Sequence, residues 1–148
     1  VIGVADANGA ILESLENNNT RVGAAVHVGP DLIVSALMAP SSATAGTSIA
    51  ITDTTRNQGG DTAPGSRTMF YLSSNLSLDA GDQLLGAREV TSLDSGLNGT
   101  GSALLLIPAS TAAGTYYIIA KGDGDDAIQE SAETNNVRVR TIAIAATP

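Results

Sequence analysis

An all-β fold is predicted by three features of the sequence. Short apolar or alternating stretches recur through residues 30–148, and none shows a convincing helical period. Clusters of Gly, Ser, Thr, Asn and Asp separate them, with Pro40 and Pro108 closing two of them. With 1 Phe, 3 Tyr and no Trp, the core must be built from Val, Ile, Leu and Ala. About seven short strands in a unit of this size predict a two-sheet β-sandwich of immunoglobulin type. The absence of Cys and Trp sets it apart from antibody domains.

The elements follow in order. Asp31–Ala39 is an apolar run stopped by Pro40, and reads as the first strand. Ser41–Gly46 reads as a turn-rich stretch. Thr47–Arg56 alternates, with Ile49 and Ile51 on one side, and reads as a half-buried strand. Asn57–Gly65 carries every loop signal. Arg67–Ser73 sets Thr68, Phe70 and Leu72 against Met69 and Tyr71. Leu84–Val90 and Gly101–Ile107 are further strands. Thr115–Ala120, dense in Tyr and Ile, reads as a central strand, and Val137–Ile144 as the last. Arg138 and Arg140 on that last strand discourage edge-to-edge association.

The chain also contains one passage twice. Val1–Val28 and Ile118–Ala145 align without a gap at an offset of 117 positions, the difference between Glu13 and Glu130. Asp6, Ala10, Ile11, Glu13, Ser14, Glu16, Asn18, Asn19, Arg21 and Val22 recur as Asp123, Ala127, Ile128, Glu130, Ser131, Glu133, Asn135, Asn136, Arg138 and Val139. Residues 1–29 are therefore expected to be the C-terminal β-hairpin of a preceding repeat, or a strand pair shared between subunits. Residues 30–148 are expected to form one complete module. A hairpin by itself is marginal in water, so something else must cover it. A sequence that opens on Val rather than Met is expected to be a processed chain or a segment of a longer one.

Several ordered motifs resemble one bacterial family. They are Pro30-Asp31-Leu32-Ile33-Val34, Thr54-Thr55-Arg56-Asn57-Gln58-Gly59, Phe70–Ser74, Leu78–Gly86, Gly114-Thr115-Tyr116-Tyr117 and Glu130–Asn136. The chain resembles the cell-adhesion-related domain found in bacteria, CARDB, across essentially all of residues 30–144. The resemblance implies an extracellular, tandemly repeated, immunoglobulin-like module with no activity of its own.

Seven basic against 15 acidic residues give a net charge of −8. That balance disfavours nucleic acid, whose affinity rests on Lys and Arg, and anionic membrane surfaces. No apolar run is long enough to span a bilayer as a helix. It suits solubility and cation binding. Five acidic residues fall in the eleven positions from Asp123 to Glu133. Of these, Asp123, Asp125, Asp126 and Glu130 are the candidate Ca²⁺ ligands, with Glu133 and Asn135 beside them, because a hard cation relieves crowded carboxylates. The competing reading is a solvated loop whose side chains satisfy turn backbone. The repeat favours the latter, since Asn8 and Gly9 replace Asp125 and Asp126. Asn75, Asp79 and Asp82 form a second oxygen-rich run. Ala80 and Gly86 occupy the positions where an EF-hand needs Gly and Glu, so it reads as a turn.

An enzyme is not expected. His27 is the only His, Cys is absent, and no nucleophile elbow or phosphate loop occurs. Arg21 and Arg138 are expected to pair with the repeated Glu16 and Glu133. The function expected is that of a structural or adhesive module in a tandem-repeat surface or secreted protein, with neighbouring repeats or identical subunits as partners. One alternative is a filament subunit joined by strand complementation through residues 1–29. Another is a module that binds protein or glycan.

Overall fold

The structure, a computed structural model, describes residues 1–147. It holds ten strands and, among the described residues, no helix. Two belong to an N-terminal hairpin, β1 (Ile2–Val4) and β2 (Thr20–Val22). The rest are β3 (Leu32–Met38), β4 (Ser42–Thr44), β5 (Ser48–Asn57), β6 (Ser66–Ser73), β7 (Gln83–Val90), β8 (Asn98–Leu106), β9 (Gly114–Lys121) and β10 (Val137–Ala145). One sheet runs β3-β5-β8 and the other β4-β10-β9-β6-β7. These are the two layers of an immunoglobulin-like sandwich, and all seven expected strands are present.

Alternation sets the faces. In β6, Thr68, Phe70 and Leu72 are buried while Met69 and Tyr71 are half-buried. The side chains meeting between the layers include Val34 and Leu37 of β3, Ile49 and Ile51 of β5, Phe70 and Leu72 of β6, Leu105 of β8, Ile118 and Ala120 of β9, and Ile142 and Ile144 of β10. A buried aliphatic side chain of this kind contributes about 1.5–3 kcal/mol. A smaller cluster of Leu32, Ala63, Val90, Leu93 and Ile128 fills the end of the sandwich where β3 begins. On the outer face of the three-stranded sheet, Thr52 bonds Ser102 and Thr54 bonds Thr100 across β5 and β8.

The stretch Ser41–Gly46 is not wholly turn. It contributes β4, which runs parallel to the end of β10 through Ser42–Ala143, Ala43–Ile144 and Thr44–Ala145. Three residues are too few for periodicity to reveal. The strand exists because it supplies backbone partners to β10 while Ala45 closes the core. β4 covers only that end of β10, so Arg138 and Arg140 stand on the stretch before it, where the sheet edge is open.

A buried ion pair crosses between the layers. Arg88 of β7 donates from Nε to Asp53 Oδ1 and from Nη2 to Asp53 Oδ2 of β5, both at 2.6 Å. The Asp53 side chain is fully buried and that of Arg88 nearly so. Arg88 Nη2 also reaches Thr55 Oγ1 and the Gly99 carbonyl. Gly101 makes room for it, since a Cβ there would lie 2.7 Å from Arg88 Cδ.

The hairpin repeats the geometry of β9 and β10. Its pairs Ile2–Val22, Gly3–Arg21 and Val4–Thr20 match Ile119–Val139, Ala120–Arg138 and Lys121–Val137, each shifted by 117 positions. Asp6 and Asp123 share the left-handed conformation, at φ 42° and 44°. The burial differs entirely. Ile119 is 0% exposed and Ile128 8%, whereas their counterparts Ile2 and Ile11 are 65% and 64% exposed.

Candidate functional site

Asp31, Asn57, Glu130, Asn135 and Asn136 converge on the end of the sandwich where the hairpin joins it. Gly29 is clasped by the loop after β5. Its N–H donates to Asp61 Oδ2, and its carbonyl accepts from the N–H groups of Gly60 and Asp61. Gly60 packs against the linker so closely that a Cβ there would overlap the His27 carbonyl oxygen. Two residues on, the Asp31 N–H donates to Asn57 Oδ1 at 3.2 Å. Asp31 Oδ1 accepts from Asn135 Nδ2 and Oδ2 from Gln58 Nε2. Asn57 is fully buried and uses its whole amide: Oδ1 also accepts from Gly59 N–H, and Nδ2 donates to the carbonyls of Asp61 and Leu93.

The loop from Gly122 to Asn136 completes this brace. Asp123 Oδ2 accepts the Ile128 N–H at 2.8 Å, and Glu133 Oε1 accepts the Glu130 N–H at 2.8 Å. Glu130 itself turns inward. Its Oε1 accepts from Leu32 N–H at 3.1 Å, and its Oε2 from Asn136 Nδ2 at 2.6 Å. The Ser131 N–H donates to the Pro30 carbonyl. The loop thus holds the first residues of β3 in place. Burial pushes the Glu130 carboxyl up to about 7, with the hydrogen bonds from Asn136 and Leu32 opposing and the charges of Asp123 and Glu133 adding to the rise. Asp123 Oδ1 and Asn136 Oδ1 are buried without a hydrogen-bond donor.

The four candidate metal ligands take different places. Asp123 and Glu130 lie inside the loop. Asp125 Oδ2 accepts from Arg67 Nη2 at 2.6 Å, and Asp126 Oδ1 from Lys121 Nζ at 2.6 Å, both near the surface. The Arg67 hydrogen bond holds Asp125 below the usual carboxylate range. Among the described residues, no three His, Cys, Asp or Glu side chains gather where one ion could be held. Two of the four carboxylates, Asp125 and Asp126, thus face protein cations. Glu133 pairs with the Glu130 backbone rather than with Arg138, and Glu16 likewise accepts the Glu13 N–H rather than pairing with Arg21. A glutamate three residues past the N–H it caps is a local contact, and it takes the carboxylate before a flexible Arg can.

Asn75, Asp79 and Asp82 lie at the opposite end, after β6. Asn75 Oδ1 accepts Ser77 N–H, Asp79 Oδ1 accepts Gly81 N–H, and Asp82 Oδ2 accepts Asp79 N–H. The backbone bond from Gly81 keeps Asp79 below the usual range. This is a turn satisfied by its own side chains. An open groove of about 440 Å³ runs beside it, between Leu72, Pro108 and Tyr116.

Sequence reading passed over three residues that organise the molecule: Asn57, Asp53 and Arg88. Asn57 carried a signal, since a buried amide at a strand end beside a Gly-Gly loop often serves as a turn brace. Asp53 interrupts an alternating strand on its apolar side, which asks for a buried partner. Nothing local identifies Arg88 as that partner.

The fold and its braced end define an immunoglobulin-like β-sandwich module. The CARDB family model matches residues 29–140, about three quarters of the sequence, and the chain belongs to the CARDB family. Among solved structures, it is similar to the CARDB domain of a Pyrococcus furiosus protein in complex with di-metal ions, with TM-score 0.61 and 20% identity, covering 83% of this chain and 95% of that one. It is also similar to a domain of a proposed cell-surface protein from Methanosarcina acetivorans, with TM-score 0.58 and 20% identity, covering 80% and 94%. A β-glucosidase from Listeria innocua shares the fold in a minor part of its length, with TM-score 0.51, 16% identity, and 78% of this chain against 16% of that one. No curated protein matches the chain. No helix among the described residues is long and apolar enough to cross a membrane.

Proposed function

We propose that this chain is part of an extracellular, tandemly repeated surface or secreted protein in which each sandwich is a structural or adhesive spacer. The observation that carries the reading is the pairing of a second hairpin, identical in register to β9–β10, with a linker clasped directly onto the next module. Family membership and the proposed surface location of the Methanosarcina relative support it. The work of such a module is mechanical: the Gly29 clasp transmits orientation from one unit to the next. No catalysis is proposed. The three Tyr side chains are half-buried, which leaves little aromatic surface for stacking on sugar rings.

The joint gives the test. Gly60→Ala places a methyl against the His27 carbonyl and should expel the linker from its clasp. In nitrogen-15 relaxation, residues 2–22 of the native chain should tumble with the module, and in the variant they should reorient faster, on the order of two-fold. A hairpin already tumbling freely in the native chain would remove the stiff-spacer reading.

A filament assembled through residues 1–29 is the second reading, motivated by the exposure of Ile2 and Ile11. It requires a sandwich with a vacancy, yet residues 30–147 already hold β9 and β10. Sedimentation over a wide concentration range should therefore show a monomer, and growing polymers would favour the filament. We further propose that Arg67 and Lys121, rather than Ca²⁺, neutralise the Asp123–Glu133 loop. The melting temperature is expected to be the same in Ca²⁺ and in chelator, and a rise in Ca²⁺ would mean that the loop opens to release Asp125 and Asp126.

A further inference from the structure

Residues Glu13, Ser14, Leu15, Asn18 and Asn19 line an open hollow of about 480 Å³ in the N-terminal hairpin. Their counterparts at an offset of 117 are Glu130, Ser131, Ala132, Asn135 and Asn136, so four of the five are the same residue type. In the module, that second set holds a strand opening. Glu130 accepts Leu32 N–H, Ser131 N–H donates to the Pro30 carbonyl, Asn135 Nδ2 donates to Asp31, and Asn136 steadies Glu130. We propose that the hollow is a docking cleft for the first strand of a sister sandwich, entering as an extended segment of the type Pro-Asp-Leu.

The local frame for that segment is already built. Asp6 accepts the N–H groups of Ala10 and Ile11, as Asp123 accepts that of Ile128. Glu16 caps Glu13 as Glu133 caps Glu130, both at 2.8 Å. The Ala5 N–H donates to the Asn19 carbonyl as the Gly122 N–H does to that of Asn136, both at 2.9 Å. Only the long-range half of the network lacks its partner. The guest must present a backbone N–H to Glu13, a carbonyl to the Ser14 N–H and a side-chain carboxylate to Asn18. Its sandwich must also cover Ile11, whose counterpart Ile128 lies in the smaller core cluster, and Ile2, whose counterpart Ile119 is fully buried. Ala25 and His27 stand where Ile142 and Ile144 are buried, so that sandwich needs bulkier or polar residues facing them.

This inference rests on the modular reading but can fail by itself. A fusion tests it: residues 30–117 placed directly before Val1 of the full chain, a splice that keeps the 117-residue offset, with Ala25→Ile and His27→Ile to suit the supplied core. Hydrogen exchange reads the hairpin. Expected is slowing of the amides of residues 2–22 by about 100-fold relative to the unfused chain, with Glu13→Ala reversing it in the first module and sparing the second. A reference fusion carrying residues 118–145 in place of 1–28 must show a protected first module, which establishes that the splice folds. If the reference is protected and the hairpin fusion exchanges like the unfused chain, the docking cleft is overturned. The stiff joint at Gly29 would survive that result, because the Gly60→Ala comparison measures it separately.

Discussion

Arg88→Met is expected to lower the unfolding free energy by about 3–5 kcal/mol, because it strands the Asp53 carboxylate between the two sheets. Asp53 would keep only the Thr55 hydroxyl, 3.2 Å from Oδ2, in place of a bidentate guanidinium. Thr55 is itself shared with Thr68, so the change reaches the facing sheet. Arg88→Lys should recover little, since an ammonium cannot match two oxygens at once. Denaturant titration checks this through a lower midpoint at unchanged slope. The double variant Asp53→Leu with Arg88→Met should be far closer to the native protein, because removing both charges removes the desolvation cost. A loss below about 1 kcal/mol in Arg88→Met would mean that water reaches Asp53, and would contradict its burial.

The second large effect is on pH dependence. The Glu130 carboxyl stands at about 7 in the folded protein, against an ordinary value of 4.5. The folded state therefore holds a proton that the unfolded chain releases across this window. Stability from this group is complete below pH 4.5 and is lost as pH rises through 7. The loss approaches about 3 kcal/mol by pH 8. Asp125 and Asp79 titrate the other way, with lowered values, and act only in more acid solution. Glu130→Gln should flatten the profile between pH 5 and 8, on the order of 3 kcal/mol of slope removed, and melt higher than the native protein at the upper end. Gln keeps an oxygen for Leu32 N–H. A half turn of the Asn136 amide would let its nitrogen approach the Asn136 oxygen that now lacks a donor. Thermal melts at stepped pH decide the matter: a native profile as flat as that of the variant would remove Glu130 as the titrating group.

The two effects differ in how far the sequence reveals them. Alternation in β5 set Ile49 and Ile51 on one side, and in β6 it split Phe70 and Leu72 from Met69 and Tyr71; burial then put the first set of each in the core. The hairpin loop was visible as a repeat, although Glu133 was expected to pair with Arg138 and instead accepts the Glu130 N–H. Its spacing from Asp123 to Ile128, and from Glu130 to Glu133, sets hydrogen bonds within five residues, and the same spacing recurs from Asp6. The acidic run was legible as a cluster but not as an arrangement. Its four candidate ligands separate into a buried pair and a surface pair, the latter held by Arg67 and Lys121 from β6 and β9. The strand β4 escaped notice because three residues carry no period, and its partner lies at the far end of the chain.

The amino-acid sequence alone determined the strand faces, the turns and the duplicated hairpin, since each depends on contacts between near neighbours. Only the tertiary structure decided that Glu130 meets Leu32 across 98 positions, Asn135 meets Asp31 across 104, and Arg88 meets Asp53 across 35. Those pairings, and the desolvation that raises Glu130, depend on which surfaces pack together. The hairpin shows the limit directly: Asp123, Ile128, Glu130 and Asn136 are buried while their counterparts Asp6, Ile11, Glu13 and Asn19 are not, because only one copy has a sandwich against it.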